Sequence, residues 1–243
     1  MTNKSEVEKM YIEKALERRR VNLAFAEKGV EFFDLDQADI DERARIGAGT
    51  RIGPGAIVAG ASVIGENCDI GQACRIENCE IGDGAEIDHS VLSDSRIGAG
   101  TQVGPFAYIR PGSVIGSRCR IGDFVEIKNS TVGDDTKISH LTYVGDSDLG
   151  SGINIGCGVV FVNYDGWEKH RSEVGNGAFI GCNVNIVAPV KIGADAYVAA
   201  GGTVTRDIAP GALFVARERG HSIEGWVARR GGLLKTRFEK QGG

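Results

Sequence analysis

The chain has little that suits a membrane, a nucleic-acid surface or a disulfide scaffold. No stretch of its 243 residues approaches about 18 consecutive apolar positions, so no membrane-spanning helix is expected. Met1 to Lys9 holds no apolar run, which argues against a signal peptide and for a cytoplasmic location. The net charge of -5 leaves no concentrated positive face of the kind that binding a polyphosphate backbone needs. Six cysteines without an export signal should stay reduced. None forms a Cys-x-x-Cys pair and there are only four histidines, so no metal site is expected. Proline is scarce, at five residues. Glycine is the exception: its 36 residues are about twice the usual share and point to many regularly spaced turns.

The abundance of glycine belongs to a repeat. From Ile46 an aliphatic recurs every sixth position through Ile52, Val58, Ile64, Ile70 and Ile76. With small irregularities it runs on through Ile81, Ile97, Ile109, Ile121, Ile127, Ile138, Ile155 and Phe161, and restarts from Val174 to Val204. Two positions before each aliphatic stands a small side chain: Thr50, Ala56, Ser62, Cys68, Cys74, Cys79, Ala85, Ser90 and later Cys119. Residues i and i−2 of a strand share a side, so each hexapeptide turns one small and one large residue inward before a glycine-tolerant turn. Three hexapeptides close a triangular coil, and stacked coils pair as parallel strands about 4.8 Å apart. The expected fold is therefore all-β, a parallel β-helix over residues 44–206. A helix and linker over 1–43 precede it and an extension over 207–243 follows. Four cysteines occupy the small inward slot and serve as core filler, whereas Cys157 and Cys182 fall beyond the turn glycines Gly156 and Gly181.

The ends and one interruption stand apart. Ser5-Glu6-Val7-Glu8 makes a helix-capping box, and Met10, Ile12, Leu16, Val21, Leu23 and Phe25 form a ragged apolar stripe that suggests a packing or linker helix. Residues 162–173 break the repeat with a polar segment carrying Tyr164 and Trp167, and such loops on rigid scaffolds tend to hold sites. Past Val204 the chain is basic, with Arg206, Arg217, Arg219, Arg229, Arg230, Lys235, Arg237 and Lys240 against four acidic residues.

Stacking makes neighbours of distant positions. Arg110 and Lys128 each follow an inward aliphatic one coil apart, and two such cations invite an anion, for which a phosphate is a reasonable guest. If the loop is a simple corner insertion, Ile138, Ile155, Ile180 and Val198 form one column. His140, Cys157, Cys182 and Ala200 then line one corner, with His140 at its foot as a candidate general base.

From Val103 to Trp226 the sequence also resembles one particular family. The blocks are Gly104-Pro105-Phe106-Ala107, Ile109-Arg110-Pro111-Gly112, Gly122-Asp123-Phe124-Val125-Glu126-Ile127-Lys128 and Ser139-His140-Leu141-Thr142-Tyr143-Val144-Gly145-Asp146. Asn154-Ile155-Gly156-Cys157-Gly158, Asn163-Tyr164-Asp165-Gly166, Val187-Ala188-Pro189-Val190 and Val204-Thr205-Arg206-Asp207 complete them. They are similar to the acetyltransferase domain of the bacterial bifunctional N-acetylglucosamine-1-phosphate uridylyltransferase/glucosamine-1-phosphate N-acetyltransferases. Residues 15–34 more weakly resemble the linker helix of that family.

The resemblance implies a left-handed winding and a homotrimer with sites between subunits. It also implies transfer of acetyl from acetyl-CoA to the 2-amine of glucosamine 1-phosphate, in UDP-N-acetylglucosamine synthesis and without a metal. Carried over by position, His140 would be the catalytic base, and Arg110 and Lys128 would hold the phosphate. Tyr143, Asn154 and Lys169 would contact the sugar, and Asn163 and Tyr164 would shape the acceptor site. The backbone N–H at Cys157 would meet the oxyanion. Cys182, Ala200 and Arg217 would line the acetyl-CoA channel, which Trp226 would close. Cys182 stands where one branch of the family has serine.

Other expectations keep the fold and change the role. Galactosamine 1-phosphate could be the acceptor, differing from glucosamine 1-phosphate in the orientation of one hydroxyl. The β-helix could instead be a scaffold docking a separate uridylyltransferase, because no glycine-rich nucleotidyltransferase segment precedes the linker. A metal-dependent hydratase would need three converging histidines, and His89, His140, His170 and His221 lack that spacing.

Overall fold

The computed structural model describes residues 4–218 and 220–229. Of the basic tail positions, Arg219, Arg230, Lys235, Arg237 and Lys240 lie outside the described residues. Among the described residues the chain forms a parallel β-solenoid of three faces, with eleven, ten and nine strands respectively. Most strands are two residues long, and the second residue is the inward aliphatic, as in Arg51–Ile52 and Tyr108–Ile109. In-register pairs such as Ile109↔Ile127 and Ile127↔Val144 stack these aliphatics coil upon coil. Ile70, Ile76, Ile109, Ile121, Ile127 and Ile138 are wholly buried. Each such side chain stabilises the solenoid by roughly 1.5–3 kcal/mol relative to exposure.

The small slots are buried as the repeat requires, including Cys68, Cys74, Cys79 and Cys119. Hydroxyls fit there because the coil above and the coil beside satisfy them. Thr50 Oγ1 donates to the Gly65 carbonyl at 2.8 Å and accepts from the Cys68 N–H at 3.0 Å. Close stacking also explains some of the glycines. A Cβ on Gly156 would stand 2.6 Å from the Cys182 nitrogen, a separation no side chain tolerates.

The solenoid extends beyond both ends of the hexapeptide pattern. Glu31–Phe32 pairs with Arg51–Ile52 and Asp39–Ile40 with Ile57–Ala59, so coiling begins before residue 44. These first rungs are irregularly spaced, which hides them from a period of six. At the other end Leu213–Phe214 pairs with Tyr197–Val198, and Ile208 bridges Ile192, beyond residue 206. The helix spans Lys4–Ala26, and among the described residues most of its apolar stripe is not covered. Met10, Ile12, Leu16 and Leu23 are exposed, and contact with the core is made by Phe25 and Val21. Asn22, fully buried, fastens the helix by donating to the carbonyls of Leu35 at 2.8 Å and Ala38 at 2.9 Å. No described helix is long and apolar enough to cross a membrane.

Candidate active site

His140 closes the strand Lys137–His140 at the corner between the eleven- and ten-stranded faces. Its register partner one coil below is Asp123, and His140 Nδ1 lies 2.5 Å from Asp123 Oδ1. An ionised carboxylate only accepts, so Nδ1 carries a proton, and in the neutral ring Nε2 is the acceptor. The hydrogen bond from His140 holds the Asp123 carboxyl below the usual carboxylate range. The imidazole is thereby fixed in the tautomer a general base needs.

Above His140 the expected column is present. Ile138 pairs with Ile155, Ile155 with Ile180 and Ile180 with Val198, so the loop is accommodated without loss of register. Cys157, Cys182 and Ala200 therefore rise along the same corner. Arg217 reaches this column, with Nη1 donating to the Ala200 carbonyl at 2.7 Å. The Cys157 N–H donates to no acceptor among the described residues, which leaves it available to a ligand.

A second cluster lies at the other edge of the ten-stranded face. Arg110 and Lys128 end adjacent rungs, as the spacing requires, but they are not a bare pair of cations. Arg110 Nη1 donates to Glu126 at 2.7 Å, and Lys128 Nζ lies 3.5 Å from Asp146. Burying two like charges without such partners would be strongly unfavourable, and Lys128 is only 19% exposed. Lys169 from the loop joins them. Contact with Lys128, then repulsion from it, lowers the Lys169 pKa, and Arg110 adds to the repulsion. The three cations outnumber the two carboxylates Glu126 and Asp146. This surplus positive charge can attract a phosphate.

Asp146 ties the cluster to the loop. Burial would raise its pKa, but hydrogen bonds from Asn129 and Asn163 and the charge of Lys128 outweigh that and lower it. Asn163 donates to Asp146 and, at 3.4 Å, to the Tyr143 hydroxyl. Gly145 makes room for this arrangement, since a Cβ there would meet the Tyr143 hydroxyl at 2.4 Å and Asn163 Nδ2 at 2.7 Å. The loop, residues 163–171 between strands Val160–Val162 and Ser172–Val174, is pinned by Arg171. That guanidinium binds both oxygens of Asp148 at 2.5 and 2.6 Å and the Asn129 carbonyl at 2.9 Å.

One chain thus brings together Arg110, Lys128, Tyr143, Asn163 and Lys169 around one edge, and His140, Cys157, Cys182, Ala200 and Arg217 along another. Of the other expected residues, Tyr164 adjoins the cation edge through its bridge to Lys169. Asn154 sits on the eleven-stranded face between Lys137 and Phe179. Tyr164 is exposed, with its hydroxyl on the Gly166 carbonyl at 2.6 Å. Trp226 begins the short helix Trp226–Arg229 of the extension. The repeat reading missed Asp123, Glu126, Asp146 and Arg171. The first lies one coil from His140 and the third one coil from Lys128, so register arithmetic could have found both.

Among known proteins, the model described as "Bacterial transferase hexapeptide (six repeats)" matches residues 171–206, and the one described as "GMPPB C-terminal domain" matches 36–114. These matches accord with the fold, a left-handed parallel β-helix of hexapeptide repeats. The resemblance read from the motif blocks also holds. The chain is 48% identical over 218 residues to "Bifunctional protein GlmU" of Clostridium botulinum (strain Kyoto / Type A2), covering 90% of this chain and 48% of that protein. It is 47% identical over 214 residues to the protein of the same name from Clostridium kluyveri (strain ATCC 8527), covering 88% and 47%. The chain thus spans about half the length of these relatives. A solved UDP-N-acetylglucosamine acyltransferase from Bacteroides fragilis 9343 shares the fold, with a TM-score of 0.54 at 22% identity, covering 81% of this chain and 76% of that one.

Proposed function

We propose that the chain transfers acetyl from acetyl-CoA to the 2-amine of glucosamine 1-phosphate, a step in UDP-N-acetylglucosamine synthesis. The observation that carries this reading is the Asp123–His140 pair, in which Nδ1 faces the carboxylate and Nε2 is left without a partner among the described residues at an exposed corner. Strong similarity to proteins named for GlmU supports the choice of reaction. The sugar phosphate would sit on the Arg110, Lys128 and Lys169 cluster, with Tyr143, Asn163, Asn154 and Tyr164 around the sugar. Acetyl-CoA would lie along the corner of Cys182, Ala200 and Arg217, with Trp226 closing over it.

In this reading the neutral amine attacks the thioester carbonyl carbon and His140 Nε2 takes the proton that the nitrogen sheds. The tetrahedral oxyanion is stabilised by the Cys157 N–H. Collapse expels the CoA thiolate, which is protonated by the imidazolium, so no metal or covalent enzyme intermediate enters. A single oxyanion donor can contribute about 3 kcal/mol. The corner and the cation edge are separate on one chain, and Asn154 lies on the eleven-stranded face. We therefore place the complete site between subunits of a homotrimer.

The test is release of free CoA from acetyl-CoA in the presence of either glucosamine 1-phosphate or galactosamine 1-phosphate, with a no-enzyme control. Acceptor-dependent release is expected, faster with the gluco sugar. Silence with both, from protein that melts cooperatively, would overturn the reading. Arg110→Ala should raise the acceptor KM by about tenfold or more, as the loss of a charge-assisted phosphate contact does. The KM for acetyl-CoA should not move.

A further inference from the structure

Six free cysteines divide sharply in this chain. Four are inside and engaged. The Cys68, Cys74 and Cys79 sulfurs donate to carbonyls at 3.2–3.3 Å, as does Cys119 to Gly133 at 3.2 Å. Burial pushes all four thiols up, Cys74 to about 11. Cys157 is half-buried and Cys182 is exposed, and neither sulfur makes a hydrogen bond among the described residues.

These two lie one above the other. Ile155 pairs with Ile180, so Gly156-Cys157 lies directly below Gly181-Cys182. Hydrogen bonds close the step on both sides, Gly156 N to the Ile180 carbonyl and Asn183 N to the Cys157 carbonyl, each at 2.8 Å. The turns also share a conformation, because Gly158 and Asn183, the next residues, both take positive φ, at 75° and 55°. Equivalent residues of superimposed turns are stacked, so the two Cα atoms are separated by one inter-strand step of ~4.8 Å, within which two thiols can reach one centre. Ala200 above them leaves the approach open.

We propose that Cys157 and Cys182 form a two-thiol site for a soft, thiophilic centre, the class of trivalent arsenic. Thiolates prefer such centres to hard cations. Binding is a condensation: two As–S bonds form, both S–H bonds break, and the arsenic oxygen leaves as water with the two protons. Arsenic remains trivalent, so no oxidant is needed. The second bond is intramolecular and strengthens capture by on the order of 10² or more over one thiol. This site does not depend on the acetyl-transfer reading.

The experiment is titration of the intact native protein with phenylarsine oxide, read by native mass spectrometry. One adduct per chain is expected, with the loss of one water. Cys157→Ser and Cys182→Ser should each weaken capture by about 10². Cys119→Ser, in a slot that serine fills elsewhere, should leave it unchanged. Iodoacetamide labelling and the thermal melt of each variant report thiol access and folding. Three results would overturn the proposal: no adduct on protein whose Cys182 is alkylated normally, an equally tight adduct on a folded single variant, or an adduct that joins two chains.

Discussion

At the scale of the residue, the proposed chemistry rests on side chains whose partners lie one coil away. His140→Ala should lower kcat by about 10²–10⁴, the usual contribution of a positioned general base, and leave the melting temperature nearly unchanged because the ring is exposed. Asp123→Asn is the finer probe. It replaces a carboxylate that can only accept with an amide that can also donate, so the Nδ1 tautomer is no longer enforced and kcat should fall while substrate KM values stay put. A variant with normal kcat would show that Asp123 does not orient the imidazole. Gly145→Ala tests the cation edge. Its Cβ would displace both the Tyr143 hydroxyl and Asn163, so acceptor KM should rise severalfold with little effect on the KM for acetyl-CoA. Overpacking of this kind costs about 1–3 kcal/mol, which a melt would register.

At the scale of the element, the loop over 163–171 behaves as a fixed part of the solenoid. Asn163 is buried at its root, Tyr164 and Lys169 bridge within it, and Arg171 clamps its exit to Asp148 and to the carbonyls of Asn129 and Ser147. Arg171→Ala should therefore loosen Lys169 without touching the corner of His140. Acceptor KM should rise, proteolytic cleavage within 163–171 should become faster, and the global melt should move by no more than a few degrees. Unchanged proteolysis would show that the clamp does not order the loop.

At the scale of the molecule, stability should have two edges in pH. Asp123, Asp135, Asp146 and Asp148 have lowered pKa values, through hydrogen bonds from His140, Arg118, the Asn129–Asn163 pair and Arg171 respectively, against the opposing effect of burial at Asp146. A carboxyl depressed in the folded state stabilises above its unfolded pKa of about 4, and that contribution is lost as pH falls further. The buried thiols work in the opposite sense. Cys74 rises from 9.0 to about 11, so its contribution is complete below pH 9 and is lost as pH climbs towards 11. Melting temperatures should be level from about pH 5 to 9 and fall on both sides. Cys74→Ala should flatten the alkaline fall, and an unaltered fall would assign it to other groups.

How much of this was legible in the sequence follows from what is local. The six-residue period, the small inward slots and the column from Ile138 to Val198 were all readable, because each rung repeats the same short-range steric solution. Since stacking is in register, the period also placed His140, Cys157, Cys182 and Ala200 on one corner and Arg110 beside Lys128. Tertiary structure alone decided who neutralises whom. Glu126 on Arg110, Asp146 on Lys128 and Asn163, and Arg171 on Asp148 depend on rotamers and on a loop with no period. It also decided that, among the described residues, Met10, Ile12 and Leu16 are left exposed while Val21, Asn22 and Phe25 seat the helix on the first coil. A repeat determines a backbone, and long side chains reaching across it choose their partners only once that backbone has folded.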